Sequence, residues 1–244
     1  MKRIYLDQNK WIDVAAARKG LAKGEPFHDA LLLLEAGTEA GHVSLPLSSA
    51  HYMETQARRH WESRRDLAAT MVALSSLQTI APLDGILPAE VDRALLQRYG
   101  QPAFPRPLLP FGSGASHAFA RDIPRYRIPG NLAGLVANAW EFERSANKLQ
   151  EAILLAGLPP DLESRIPDFE PLAHLKVGEN YAAGKEELRA RRVAENWNKG
   201  ERADRIAKAQ AFSDHLEVLD EAFRRAGLQL DRLLDEGQSG MNDF

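Results

Sequence analysis

Short apolar segments that alternate with stretches of helical spacing most restrict how this chain of 244 residues folds. The predicted strands cover residues 3–6, 42–46 and 78–81. The predicted helices between them cover residues 11–19, 26–40 and 52–74. Strands that alternate with helices favour a parallel α/β sheet. Because parallel strands end at one edge of such a sheet, we expect a site at that edge.

The pattern changes after residue 82. Prolines and glycines cluster in residues 83–130, which predicts a loop-rich insertion around one short helix over residues 88–99. Residues 131–157 predict a further helix, and residues 176–227 predict charged helices. No later segment has the pattern of a buried strand. The predicted organisation is an α/β core over residues 1–82, the insertion, and a helical region over residues 131–244.

Composition restricts the function classes. The formal net charge is -3, so nucleic-acid binding would need a local basic patch. The chain has no cysteine, which excludes a disulfide scaffold and thiolate metal sites. It lacks the run of ~18 apolar residues that a membrane helix needs, and its first residues do not resemble a signal peptide. We therefore expect a cytoplasmic protein without a membrane partner.

Polar residues follow the first two predicted strands. The first strand stops at Asp7-Gln8-Asn9, and the second leads through Pro46-Leu47-Ser48-Ser49 into the helix that carries Glu54. Taken singly, each acid has a structural explanation. Asp7 could cap the helix that follows it, and Glu54 could be a first-turn acid, because carboxylates favour helix N-termini.

Taken together, the segments YLDQNKWI and LPLSSAHYMET resemble the opening of a PIN-like (PilT N-terminal) nuclease domain, in a divergent bacterial form. The resemblance covers about residues 3–81. It implies a small parallel sheet flanked by helices and Mg²⁺- or Mn²⁺-dependent cleavage of phosphodiester bonds, usually in RNA. Asp7 and Glu54 would then be the catalytic metal ligands. Gln8 and Asn9 would orient water or a phosphate oxygen. Ser48 would donate a hydrogen bond to the residues that hold the metal, although the sequence favours Ser48 or Ser49 as the N-cap of the helix that follows.

One element of the resemblance is missing. PIN-like sites usually add one or two acids late in the domain, and no such segment is recognisable. Three explanations stay open: the chain is a fragment that lacks its last strands, which we favour; the insertion carries the acids; or the site is degenerate. The remaining acidic candidates are Asp13, Asp84 and Asp214.

Basic residues follow Glu54 on the same predicted helix. Arg58 and Arg65 are expected to bind substrate, with Arg59, His60 and Arg64 between them and Trp61 able to stack on a base. A second basic group occupies the later helices: Arg189, Arg191, Arg192, Lys199, Arg202, Arg205 and Lys208, with Trp197. The alternative is a solvated helix face with interleaved acids, which is favoured for the later helices. A metal pair of His51 with Glu54 is a weaker prediction.

These observations predict a metal-dependent endoribonuclease with nucleic acid, most simply RNA, as its partner. The resemblance alone suggests a toxin-antitoxin or phage-defence setting. The alternative is a catalytically degenerate PIN-like scaffold that binds nucleic acid or a protein partner, or that forms a homo-oligomer. A nucleoside-triphosphate enzyme and a serine hydrolase are disfavoured, because the chain has neither a phosphate-binding glycine loop nor a nucleophile elbow.

Overall fold

The structure is a computed structural model that describes residues 1–130, 134, 138–163, 165 and 214–230. The described chain is mixed α/β, mostly helical, with a small parallel sheet. It divides into two compact units. The first comprises Met1–Pro82 and Pro110–Ala173, and the second comprises Leu83–Leu109 and His174–Phe244. The first boundary falls where the sequence pattern changes, whereas the proline-rich segment contributes to both units.

Short parallel pairings build the sheet of the first unit. Strand β1 (Lys2–Arg3) pairs in parallel with β2 (Val43–Ser44), and the amide of Ile4 extends the ladder by donating to Ser44 O at 2.9 Å. Leu47 then bridges in parallel to Thr79 in β3 (Gln78–Ile80). The predicted strands therefore exist as shorter elements, joined in chain order.

A fourth strand was not predicted from the sequence. Strand β4 (Phe111–Ser113) pairs antiparallel with β3. Two of its three residues are exposed, so it lacks the apolar run of a core strand. A strand therefore follows residue 80, but it is not a buried one, and the expectation that no later segment has the pattern of a buried strand is not contradicted by it.

Seven α-helices of the first unit are described around these strands. They are α1 (Gln8–Arg18), α2 (His28–Glu39), α3 (Ser49–Gln56), α4 (Trp61–Ser75), α6 (Gly114–Ala118), α7 (Ala139–Ala156) and α8 (Pro160–Glu163). A 3-10 turn (Ala22–Phe27) precedes α2 and packs on α1. Gly24 permits that contact, because a Cβ there would lie 2.1 Å from the backbone nitrogen of Ala17.

The helix predicted over residues 52–74 is broken, which corrects the sequence prediction. Helix α3 ends at Gln56, and α4 begins at Trp61 after His60 adopts an extended conformation. The break contains no proline or glycine; arginines stabilise it instead. Arg64 Nη1 donates to the carbonyl of Gln56 at 3.3 Å, which satisfies an acceptor that the end of α3 leaves open. Arg58 donates to Ser63 Oγ from Nε at 3.2 Å and from Nη2 at 2.9 Å.

The core of the first unit lies where α1, α3, α4 and α7 pack on one another. Trp11, Tyr52, Met71 and Leu155 are among its largest fully buried side chains, and one comes from each of these four helices. Burial of a side chain of this size stabilises the fold by roughly 1.5–3 kcal/mol. The core therefore fixes the position of the helices that carry the predicted site residues.

The second unit is described through two helices. Helix α5 (Leu83–Tyr99) begins five residues earlier than predicted, and it packs on α9 (Leu216–Arg225) through Leu95 and Phe223. Except for the last part, which includes α9, the charged helices predicted over residues 176–227 lie outside the described residues. In the described parts of both units, no helix combines the length and the apolar character that spanning a bilayer requires.

Candidate functional site

Asp7 lies in the segment between β1 and α1 and caps α1. Its Oδ1 accepts a hydrogen bond from the amide of Lys10 at 2.8 Å, and its backbone is extended. The side chain is exposed, and Oδ2 has no contact within the described residues. The capping interpretation is thus confirmed. Because the cap uses one carboxylate oxygen, the other remains able to bind a cation or a ligand.

His51 joins the start of α3 to the end of β1. Its Nε2 donates to the carbonyl oxygen of Leu6 at 2.8 Å, and its Nδ1 accepts from the amide of Ser48 at 2.9 Å. These two partners fix the neutral tautomer that carries hydrogen on Nε2. Burial lowers the pKa of His51, against the opposing effects of the Leu6 hydrogen bond and the charge of Asp7. Both ring nitrogens are occupied, so the predicted metal pair with Glu54 is wrong.

Ser48 and Tyr5 belong to the same junction. Ser48 is the N-cap residue of α3, as predicted, and its hydroxyl lies 3.2 Å from His51 Nδ1 and 3.3 Å from the Tyr5 hydroxyl. The Tyr5 ring lies against the His51 ring with centroids 5.2 Å apart. Ser48 therefore acts within the protein, which accounts for its position without a substrate contact.

Gln8, the first residue of α1, forms a second connection from this part of the chain to α3. Its Nε2 donates to Thr55 Oγ1 at 3.0 Å, so the side chain turns inward rather than toward a substrate. This contact within the protein argues against the predicted substrate contact of Gln8. Gln8 Oε1 and Trp11 Nε1 are buried without hydrogen-bond partners in the described structure. Asn9 is exposed next to Asp7.

The two connections hold the chain segments that carry Asp7 and Glu54 next to each other. Asp7 lies between Leu6 and Gln8 in the chain, and Glu54 directly precedes Thr55 on α3. Because His51 holds Leu6 and Thr55 holds Gln8, the backbones of both acids are fixed beside the same junction. Both carboxylates are exposed. Among the described residues, however, no group of three or more His, Asp or Glu side chains could enclose a metal ion.

The other acidic candidates do not complete the pair. Asp13 lies one turn into α1 and accepts from Lys10 Nζ at 3.1 Å. Asp84 and Asp214 belong to the second unit. The missing late acids of the PIN-like pattern are thus not found among these candidates.

The predicted basic residues have structural partners. Arg58 holds Ser63 at the start of α4, while Arg65 donates to Asp66 Oδ1 from Nη2 at 2.9 Å. Lys19 of α1 also pairs with Asp66. Although burial opposes it, hydrogen bonds from Lys19 and Arg65 lower the pKa of Asp66. Arg65 therefore serves an ion-pair network rather than a free patch.

Other members of the basic group differ in their accessibility. Arg59 and His60 are exposed, whereas Trp61 is partly buried and packs under the Arg64 guanidinium, whose carbon lies 5.7 Å from the ring centroid. The Trp61 ring therefore has one face covered. The second basic group and Trp197 lie outside the described residues.

A buried carboxylate on α7 was missed by sequence reasoning. Glu151 accepts from the Tyr52 hydroxyl at 2.8 Å and from the amide of Ala115 at 2.9 Å. Burial raises its pKa, against the lowering effects of these two donors and Arg125. Gly114 has a φ of +76°, and a Cβ there would lie 2.4 Å from Glu151 Oε1. The only sequence signal is an acid within the apolar stretch of α7, which indicates burial but not its partners.

Comparisons with known proteins do not assign the chain to a family. No protein-family model matches it, and neither a curated protein nor a solved structure does.

Proposed function

We propose that this chain binds Mg²⁺ or Mn²⁺ through Asp7 and Glu54 and cleaves phosphodiester bonds, with RNA as the substrate. The observation that supports this most is the double connection between the end of β1 and α3. His51 with Leu6, and Gln8 with Thr55, hold the two exposed acids beside one junction. Two carboxylates that converge on one point repel each other unless a cation offsets their charge, so a cation would favour their convergence here.

The donor set suits a hard divalent cation. Carboxylate oxygens are preferred by Mg²⁺, which commonly takes one or two of them together with waters and substrate phosphate oxygens. Asp7 offers one oxygen, because the other is held by the Lys10 amide, and Glu54 offers a second donor from an exposed side chain. Two protein ligands are enough for such a site when the substrate supplies the others.

The surrounding residues would then divide the work of binding. When present, the cation supplies charge neutralisation to the phosphate. The capping bond from Lys10 N limits rotation of the Asp7 carboxylate, so its free oxygen is oriented before any ligand arrives. Exposed Asn9, next to Asp7 on the first turn of α1, is placed to donate to a phosphate oxygen or a water.

Cation binding can be tested by calorimetric titration of Mg²⁺ and Mn²⁺ into the wild type, Asp7→Asn and Glu54→Gln. Asp29→Asn is a matched control, because Asp29 is an exposed acid in the first turn of α2. Glu39→Gln is the second control, since Glu39 is exposed at the end of the same helix. We expect both site variants to lose binding and both controls to retain it. Equal binding by all five proteins would contradict the site.

Cleavage is tested separately with a labelled single-stranded RNA in Mn²⁺. We expect products from the wild type and both controls, and none from Asp7→Asn or Glu54→Gln. If Asp7→Asn or Glu54→Gln still binds metal and still yields products, the cleavage belongs to another protein or another site.

A second candidate function is binding without cleavage. The absence of a third acidic ligand among the described residues favours this alternative. In that case the chain would bind RNA equally well in EDTA and in Mn²⁺, and the Asp7→Asn variant would bind like the wild type. Product formation that depends on both acids would exclude it.

A further inference from the structure

A cavity of about 250 Å³ opens in the first unit between α1, the 3-10 turn and the start of α4. At ~30 Å³ per water molecule, this space equals about eight waters, so it admits a ligand smaller than an ordinary drug molecule. None of the residues assigned above to the acidic pair lines it. It is therefore a separate feature of the same unit.

The cavity combines an apolar floor with a charged rim. The floor is formed by aliphatic side chains of α1, the following turn and α4: Ile12, Ala15, Ala16, Leu21 and Leu67. The rim carries Lys19, Lys23, Arg58, His60, Glu62, Ser63 and Asp66. An apolar surface bordered by charges suits a ligand that has a flat apolar part and an ionised part.

The charge that remains at the rim is positive. Asp66 is shared between Lys19 and Arg65, so it does not offset the other cations. Lys23 is exposed and contacts no acid among the described residues, and Arg58 donates to the neutral hydroxyl of Ser63. The lining carries three cationic side chains, Lys19, Lys23 and Arg58, against two acidic ones, Glu62 and Asp66. Such a rim favours an anion.

Helix α1 links the cavity to the segment that carries Asp7. Helix α1 begins directly after Asp7 and reaches the cavity at Ile12, five residues later, which is about 7.5 Å along a helix axis. On the other side, Arg58 follows Glu54 by four residues. A strand of nucleic acid that contacts the acids therefore has this cavity within reach of its neighbouring units.

We propose that the cavity is a subsite for one nucleotide of a single-stranded RNA, with the base on the apolar floor and the adjacent phosphate at Lys23 and Arg58. The proposal rests on the proposed function for the identity of the ligand. It adds the part of the molecule that binds the substrate outside the acidic pair. Nucleotide binding here needs no divalent cation, because the rim itself carries the compensating charge.

The test measures binding of a fluorescein-labelled single-stranded RNA decamer, and of AMP as competitor, in EDTA. Lys23→Gln removes a rim charge that has no partner among the described residues. Its matched control is Lys148→Gln, at an exposed position of α7. Ala15→Leu places a larger side chain on the apolar floor of the cavity. Its control is Ala36→Leu, at an exposed position of α2. Leu21→Ala is a second floor variant at an exposed side chain, in case Ala15→Leu does not fold.

The two kinds of variant should differ in their salt dependence. Lys23→Gln should weaken RNA binding by about threefold to tenfold and reduce the log-log salt slope by about 0.7, the value for one phosphate contact on a single strand. Ala15→Leu should weaken binding of RNA and AMP by about tenfold with the slope unchanged. Inorganic phosphate should compete far less well than AMP.

Three outcomes would overturn the subsite: equal affinity for Lys23→Gln, Ala15→Leu, Leu21→Ala and their controls; equal competition by inorganic phosphate and AMP; and no RNA binding by the wild type. Failure of the proposed function is recognised separately. If Asp7→Asn and Glu54→Gln neither lose metal binding nor stop cleavage but the floor variants still lose RNA, the subsite stands without the acidic site.

Discussion

His51 donates a hydrogen bond from Nε2 to the carbonyl oxygen of Leu6, 45 residues earlier in the chain, across 2.8 Å. The same ring accepts from the amide of Ser48, so one side chain connects the end of β1 to the start of α3. The ring is 1% exposed. Its partners Leu6 and Ser48 are half-buried, so water would replace the imidazole only in part.

His51→Ala should therefore destabilise the protein by about 2–4 kcal/mol, from lost packing and two unpaired backbone groups. It should also weaken cation binding at Asp7 and Glu54, since the junction beneath both acids loosens. Urea unfolding and calorimetry measure the two effects. His28→Ala, at an exposed histidine in α2, should change neither. Unaltered stability of His51→Ala would show that the connection contributes nothing.

The stability of the wild type should fall as the pH is lowered below about 6.5, the ordinary histidine pKa. Burial lowers the pKa of His51 in the folded state, so the unfolded chain takes up its proton first and is favoured in acid. Above that pH both states are neutral and the effect vanishes. Urea unfolding between pH 5 and 8 should show the decline in the wild type and a shallower one in His51→Gln. Parallel pH profiles of the two proteins would contradict this.

Glu151 should act in the opposite direction. Burial raises its pKa, so the folded state holds the proton more tightly, and its contribution to stability is lost as the pH rises through that raised value. Glu151→Gln keeps an acceptor for Ala115 N and a polar contact to the Tyr52 hydroxyl, and should remove this pH dependence with the fold intact. Glu151→Ala should cost about 2–4 kcal/mol. Thermal unfolding from pH 4 to 7 checks both variants; an unchanged wild-type profile in Glu151→Gln would refute the assignment.

Asp92 should be the most sensitive polar residue of the second unit. Its carboxylate is fully buried and accepts from Arg106 N at 2.8 Å, Arg106 Nε at 3.0 Å and Arg225 Nη1 at 2.9 Å. Removal of one partner from a buried ion pair costs about 3–5 kcal/mol when the other charge stays buried. Both arginines are partly exposed, so Asp92→Ala should fall near the lower value. Urea unfolding measures it, and Asp84→Asn on the exposed start of α5 should be neutral.

Local patterns were enough to predict the parts of the fold and site that depend on neighbours in sequence. The alternation of strands and helices, the cap formed by Asp7 and the N-cap position of Ser48 all follow from a few consecutive residues. The small parallel sheet was predicted on the same basis. The assignment of Asp7 and Glu54 to a metal site goes beyond those patterns and stays a prediction.

The residues that the sequence did not reveal act through distant partners. Glu151 meets Tyr52 across 99 residues, and no periodicity connects them. The break between α3 and α4 contains no helix-breaking residue. It is stabilised by the hydrogen bonds from Arg64 to the Gln56 carbonyl and from Arg58 to the Ser63 hydroxyl, which the sequence does not reveal. The inward turn of Gln8 depends likewise on Thr55, which approaches only once α3 is packed. Such outcomes are fixed by tertiary packing, which propensity does not encode.

The two-residue ladder between β1 and β2 has a consequence for the native-state motions of the chain. So short a ladder resists opening weakly, so the first seven residues are able to detach as a cooperative segment while the helical core remains intact. The hydrogen bonds from His51 to the Leu6 carbonyl and from Gln8 to Thr55 set the free energy of that opening. Hydrogen exchange of the Ile4 amide, which donates a hydrogen bond to Ser44 O, would report this opening directly. A ligand that contacts Asp7 would then bind only molecules in which the amino-terminal segment is closed. Its apparent affinity would depend partly on the fraction of molecules in that closed state.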